Sequence, residues 1–170
     1  MGPRAAPNQA VQPALIPARG CVPHSAFEGF TAVVPEGWKA SRDEVTYSEA
    51  GLHAPMRFTS PGRRGVLRVS VPWLDADDQP GADPDELDSL AREWGLRRGI
   101  DAPLACQTEL RDGLARATAS YRIGEDFVEV WFISDSSTLI KASYVCKWDE
   151  RDLDRAARSA LVGSLRPSPA

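Results

Sequence analysis

The sequence predicts an α+β domain, an antiparallel β-sheet of six to seven strands flanked by helices. Three observations predict it. Residues 114–148 hold three strand-like segments joined by the short polar turns "GED" and "SDSS", the pattern of a meander. Residues 83–99 carry a capped amphipathic helix, and a second helical pattern runs from Asp149 to Pro167.

Taken in chain order, residues 1–25 contain five prolines, two arginines and no acid or aromatic residue. Such a segment cannot bury enough surface to offset its ordering entropy, so it is expected to be a disordered tail, with one domain over 26–170. The first strand is expected at 30–34 and is stopped by Pro35, which has no ladder donor. Beyond it stands Trp38, too large an apolar group to leave in water. A turn through Gly37 would let it fold back over one end of the core. Further strands are expected at 44–48, 56–59 and 66–71. The last places Leu67, Val69 and Val71 on one face and Arg68 and Ser70 on the other.

Asp83 suits a helix N-cap, Pro84 the first helical position, and Glu86 the acid of a capping box. Leu87, Leu90, Ala91 and Trp94 then recur at helical spacing, Asp88–Arg92 and Glu93–Arg97 are four-apart ion pairs, and Gly99 ends the helix. In the meander, Ala115, Ala117, Ala119, Tyr121 and Ile123 share one face. Residues 127–133 are apolar except for Glu129, as in a strand covered on both sides. The final helix is expected to begin at Asp149 and to bury Leu153, Ala156, Ala157, Ala160, Leu161, Ser164 and Leu165.

The composition narrows the function. A net charge of −4 argues against a nucleic-acid footprint, which needs clustered positive charge. Cys21, Cys106 and Cys146 are far apart, without the close spacing of a zinc or redox site. Three reduced thiols in a cytoplasmic protein are the expectation. The stretch "LIPARGC" ends in Gly-Cys, as a lipoprotein processing site does, but Arg19 and two prolines depart from that pattern and argue against anchoring at Cys21. No apolar run reaches the length of a membrane span. His24 and His53 are the only histidines, so a histidine metal site cannot be assembled, and His24 beside Ser25 is read as a chance pairing rather than a catalytic one. No catalytic residue, metal ligand or cofactor is assigned.

Two surfaces remain as candidates for binding another protein. The run "LDADDQPGADPDELD", residues 74–88, has seven acids and no base. Asp75, Asp77, Asp78, Asp83 and Asp85 could steer a partner with a basic surface. A calcium loop is excluded because Pro80 stands where the required glycine would be. The second surface is on the meander. A first turn flanked by Ile123 and Asp126 puts Arg116, Thr118, Ser120 and Arg122 on a face with Phe127, Glu129 and Trp131, and Tyr144 can join from the third strand. Arginine and aromatic side chains carry much interface energy. The competing expectation is that a helix covers this face and pairs Glu129 with an arginine.

The motifs "PEGW" (residues 35–38) and "GSLRP" (163–167), with a hairpin, a mid-chain helix and a meander between them, resemble the PsbP-like superfamily. That superfamily includes the photosystem extrinsic subunit PsbP and the Ran-GTP release factor. The resemblance implies an α/β/α sandwich and a protein-binding role, such as an immunity protein or a chaperone for a secreted bacterial effector. It carries over no catalytic residue. The alternative is a small-molecule binder or enzyme using a cleft on the meander face.

Overall fold

The structure, a computed structural model, describes residues 25–43, 55–72, 81 and 83–168. The strand expected at 44–48 lies outside the described residues, as do His24, His53 and Cys21. Ten strands and two α-helices form from the described residues. In chain order they are β1 (Ser25–Phe27), β2 (Phe30–Ala32), β3 (Lys39–Arg42), β4 (Met56–Thr59), β5 (Gly65–Ser70), α1 (Pro84–Leu96), β6 (Ala105–Arg111), β7 (Leu114–Ile123), β8 (Asp126–Ser134), β9 (Leu139–Lys147), α2 (Arg155–Ser164) and β10 (Arg166–Pro167).

Seven strands make one antiparallel sheet in the order β3-β4-β5-β9-β8-β7-β6, and β1-β2-β10 make a small second sheet. The meander β7-β8-β9 is consecutive and antiparallel, as expected. Its middle strand is covered on both sides: Val128, Val130 and Phe132 join the cluster under α1, while Phe127, Trp131 and Ile133 join the larger core with α2 and β2. α1 lies over β6, β7 and β8. It approaches closely because position 95 is glycine; a Cβ there would come within 2.5 Å of the Tyr121 ring. The Tyr121 hydroxyl donates to the Ala91 carbonyl at 2.6 Å, so the ring is packed and hydrogen-bonded at once.

Trp38 lies where the sequence puts it, in the main core and only 8% exposed. Its amide donates to the Pro35 carbonyl at 3.1 Å, and Gly37 takes the positive φ of 81° that closes this turn. The N-terminus of α1 also forms as expected. The Asp83 carboxylate accepts the Asp85 amide, and both four-apart ion pairs are made. Glu86 departs from a capping box: its carboxylate accepts from the Gly81 amide, beyond the cap.

The final helix differs most from expectation. Trp148 continues the β9 ladder, its amide donating to the Glu125 carbonyl, and a 3-10 turn over Trp148–Glu150 precedes α2. The helix therefore starts at Arg155, and its buried residues are Arg158, Leu161 and Val162. Ala156, Ala160 and Leu153 are exposed. The apolar pattern misjudged part of the helix face because Arg158 is buried beside Leu161 and Leu165.

Candidate functional site

The register brings the meander residues together as the alternation implied. Arg116, Thr118, Ser120 and Arg122 on β7 stand opposite Ile133, Trp131, Glu129 and Phe127 on β8, and Glu129 stands opposite Tyr144 on β9. Opposed residues share a face. That face is the one α2 covers. Arg158 reaches down from α2, 1% exposed, and its Nε donates to Glu129 at 2.9 Å while its Nη1 donates to the Arg151 carbonyl at 2.6 Å. The guanidinium also sits 4.6 Å from the centre of the Tyr144 ring.

Tyr144 is fully buried, and burial, with Cys146 and Asp154 nearby, pushes its phenol well above the ordinary range. With α2 in place, Tyr144 and Glu129, expected as partner-binding residues, lie in the joint between helix and sheet. Trp131 is 7% exposed and contributes only an edge to the surface. Arg122 is exposed, donates to the Gly124 carbonyl, and lies 4.5 Å over the Trp148 ring.

A cleft of about 500 Å³ opens where α2 ends above β6 and β7. Glu109, Arg116, Thr118, Trp131, Ser159 and Val162 are among its lining residues. Arg116 crosses it as a strut, donating to Glu109 at 3.4 Å and to the Gly163 carbonyl at 3.0 Å. Burial, and then the neighbouring Arg166, hold its guanidinium below the ordinary range. The cleft offers one carboxylate, one guanidinium, one side-chain amide and three hydroxyls, a set that can hydrogen-bond a small ligand.

The acidic segment is split. Asp83 and Asp85 are exposed at the start of α1, where Asp83 is occupied as the cap. Asp75, Asp77 and Asp78 lie outside the described residues. Among the described residues no group of three or more His, Cys, Asp or Glu side chains is arranged to hold a metal ion, and no helix is long and apolar enough to cross a membrane.

A further surface was missed by sequence reasoning. On the α1 side of the large sheet the helix packs mainly over β6, β7 and β8, and its cluster also takes in Leu139 and Val145 of β9. The other half of that face, on β4, β5 and β9, carries Arg57, Thr59, Arg68, Ser70, Lys141 and Ser143, none of them fully buried. Alternation along β5 and β9 already turned Arg68, Ser70, Lys141 and Ser143 away from the core. The pairing of β5 with β9, across the intervening residues 71–138, is what gathers them, and no local pattern reveals it.

No family model matches the chain, and no curated protein matches it. Among solved structures, the solution structure of cyanobacterial PsbP (CyanoP) from Synechocystis sp. PCC 6803 superposes with a TM-score of 0.58, covering 83% of this chain and 88% of that one at 18% identity. The fold is PsbP-like. At that identity the likeness concerns architecture, so the PsbP-like domain's function has to be argued from its own surfaces.

Proposed function

We propose that this PsbP-like domain is a non-catalytic protein-binding module that works by surface recognition in the cytoplasm. The observation that supports it is the half-covered sheet: among the described residues α1 packs mainly on three strands, and the face beyond it on β4, β5 and β9 is mostly polar and half-buried. A broad, shallow surface with half-exposed arginines suits a protein partner better than a small ligand, which needs enclosure. An immunity protein or a chaperone for a secreted bacterial effector is the role we assign. The acidic segment, through Asp75, Asp77 and Asp78, would speed encounter with basic parts of the partner.

A second reading is favoured by one observation, the cleft beside Arg116 and Trp131, whose volume falls within the range of small-molecule sites. Affinity capture with the full chain as bait, mass spectrometry, and reconstitution from purified components separate the two. The expected result is a stoichiometric complex with one purified protein. A chain that forms no such complex, and instead binds or turns over a small molecule lost on Thr118→Trp in the cleft, would overturn the proposal.

A further inference from the structure

We propose that the half of the sheet beyond α1 is a docking site for an acidic segment of the partner protein, held by a band of basic side chains from Arg57 to Arg98. The proposal rests on the protein-binding reading above and adds the chemistry of the bound surface.

The band is built by the register. Arg57 on β4 and Arg68 on β5 are direct cross-strand partners on the same face. One strand further, Lys141 on β9 stands opposite Ser70. Arg97 and Arg98, just beyond the end of α1, are close enough to Lys141 to perturb its ammonium. Three cations on the sheet, with two more at the end of α1, thus form one band in a protein whose net charge is −4.

Their counter-charges are few. Asp43 pairs with Arg68, and Glu93 pairs with Arg97. Arg98 donates to the Trp94 carbonyl and stacks 3.9 Å over the Trp94 ring, but meets no carboxylate among the described residues. Arg57 makes no ion pair among the described residues, and its Nε is buried without a hydrogen-bond acceptor. Lys141 is half-buried and has no ion pair among the described residues. Burial, then Arg98 and Arg97, hold its ammonium below the ordinary lysine range.

Each of these arrangements costs stability. Like charges directly opposite on paired strands repel, and a buried guanidinium donor without an acceptor loses its hydration for nothing. Local breaches of this kind collect at binding surfaces, where a ligand supplies the missing charge. The shape of the missing group follows from the spacing. A carboxylate can take the guanidinium of Arg57 in bidentate fashion, and Lys141 needs a second anion on the next strand. A chain with several carboxylates meets both demands, and a single small anion meets one. Duplex nucleic acid is disfavoured because the net negative charge of the domain repels a dense polyanion.

The test uses the full chain and a short, capped, fluorescein-labelled peptide rich in Asp and Glu, with its Asn/Gln counterpart as control. Anisotropy titrations at low and physiological salt should show the acidic peptide binding at least about tenfold more tightly, with the difference shrinking as salt rises. Amide shifts should map to β4, β5 and β9. Arg57→Gln with Lys141→Gln should weaken peptide binding about tenfold while the melting temperature holds or rises, because repulsion is removed. Lys141→Gln alone should act in the same direction. Equal affinity for both peptides, unchanged binding by the double variant, or shifts that map elsewhere would overturn the proposal. So would tighter binding of a DNA duplex than of the peptide. If neutralising Asp75, Asp77 and Asp78 raises peptide affinity about tenfold, the chain's own acidic segment is the occupant and the external partner is refuted. A peptide that fails while the captured complex still forms removes this docking site and leaves the protein-binding reading in place.

Discussion

Arg158→Met tests what joins α2 to the sheet. The change removes the 2.9 Å hydrogen bond to Glu129 and the 2.6 Å bond to the Arg151 carbonyl, while a methionine still fills much of the space between Phe127 and Tyr144. Breaking a buried ion pair from one side costs about 3–5 kcal/mol, because the other charge is left without compensation. Glu129 keeps 20% of its side-chain surface, so water relieves part of that penalty and places the effect near the lower end. The lost carbonyl bond adds about 1 kcal/mol. We expect a loss of about 3–4 kcal/mol in urea unfolding followed by circular dichroism. Removing both charges is different. Glu129→Met with Arg158→Met leaves no orphan, and the double variant should lose less than the single one, with a coupling energy of about 2 kcal/mol. If Arg158→Met costs under about 1 kcal/mol, or the double variant is the less stable of the two, the pair does not hold the helix and the reasoning fails.

Three further outcomes follow from the packing. Trp38→Ala should cost about 3 kcal/mol and lower the melting temperature by roughly 6–12 °C, and a variant melting with the wild type would show that the ring does not close the core. Gly65→Ala should cost about 1–3 kcal/mol, since a methyl group there would overlap the Tyr144 ring and hydroxyl; wild-type stability would mean that β5 can shift freely on β9. Asp135 gives a pH dependence. Burial alone would raise its carboxyl, but hydrogen bonds from the Ser137 hydroxyl and from the Ser137 and Thr138 amides outweigh that and hold it below the ordinary range. A depressed folded pKa contributes stability above the unfolded value and loses it as pH falls through the folded one. The deficit of Asp135→Ala, about 1–2 kcal/mol at neutral pH, should therefore shrink toward zero in acid, and a constant deficit would refute the assignment.

Elements whose signals are local were legible. The Asp83–Pro84 cap, the Leu87–Trp94 spacing, the meander and the turn before Trp38 each depend on a few neighbouring residues, and all of them form. The strands that were missed are at edges. β3 is exposed throughout and β6 nearly so, with only Cys106 reaching the cluster under α1, and such polar edge strands have little alternation to detect. The start of α2 was misplaced for a different reason. Asp149 is a plausible cap by residue type, yet the amide of Trp148 still serves the sheet, so the chain turns through Trp148–Glu150 before it can coil.

The same contrast separates the two faces proposed for binding. Mixed charge and aromatic residues on β7 and β8 were visible in the sequence, and the structure shows why that mixture does not mark a free surface. An arginine from a helix far along the chain descends onto Glu129, and the aromatic residues around it become core. On the opposite face the outward residues of β4, β5 and β9 each read as ordinary solvated positions. Only their juxtaposition makes them unusual: Arg57 facing Arg68, and Lys141 half-buried without an ion pair among the described residues. A single polar residue on a strand is uninformative because a sheet face can be solvated at no cost. Unpaired charges of one sign gathered by long-range pairing are informative, because folding has to oppose their repulsion. The stability that should return when Arg57 and Lys141 are neutralised is therefore the quantity that distinguishes a binding surface from a merely wet one.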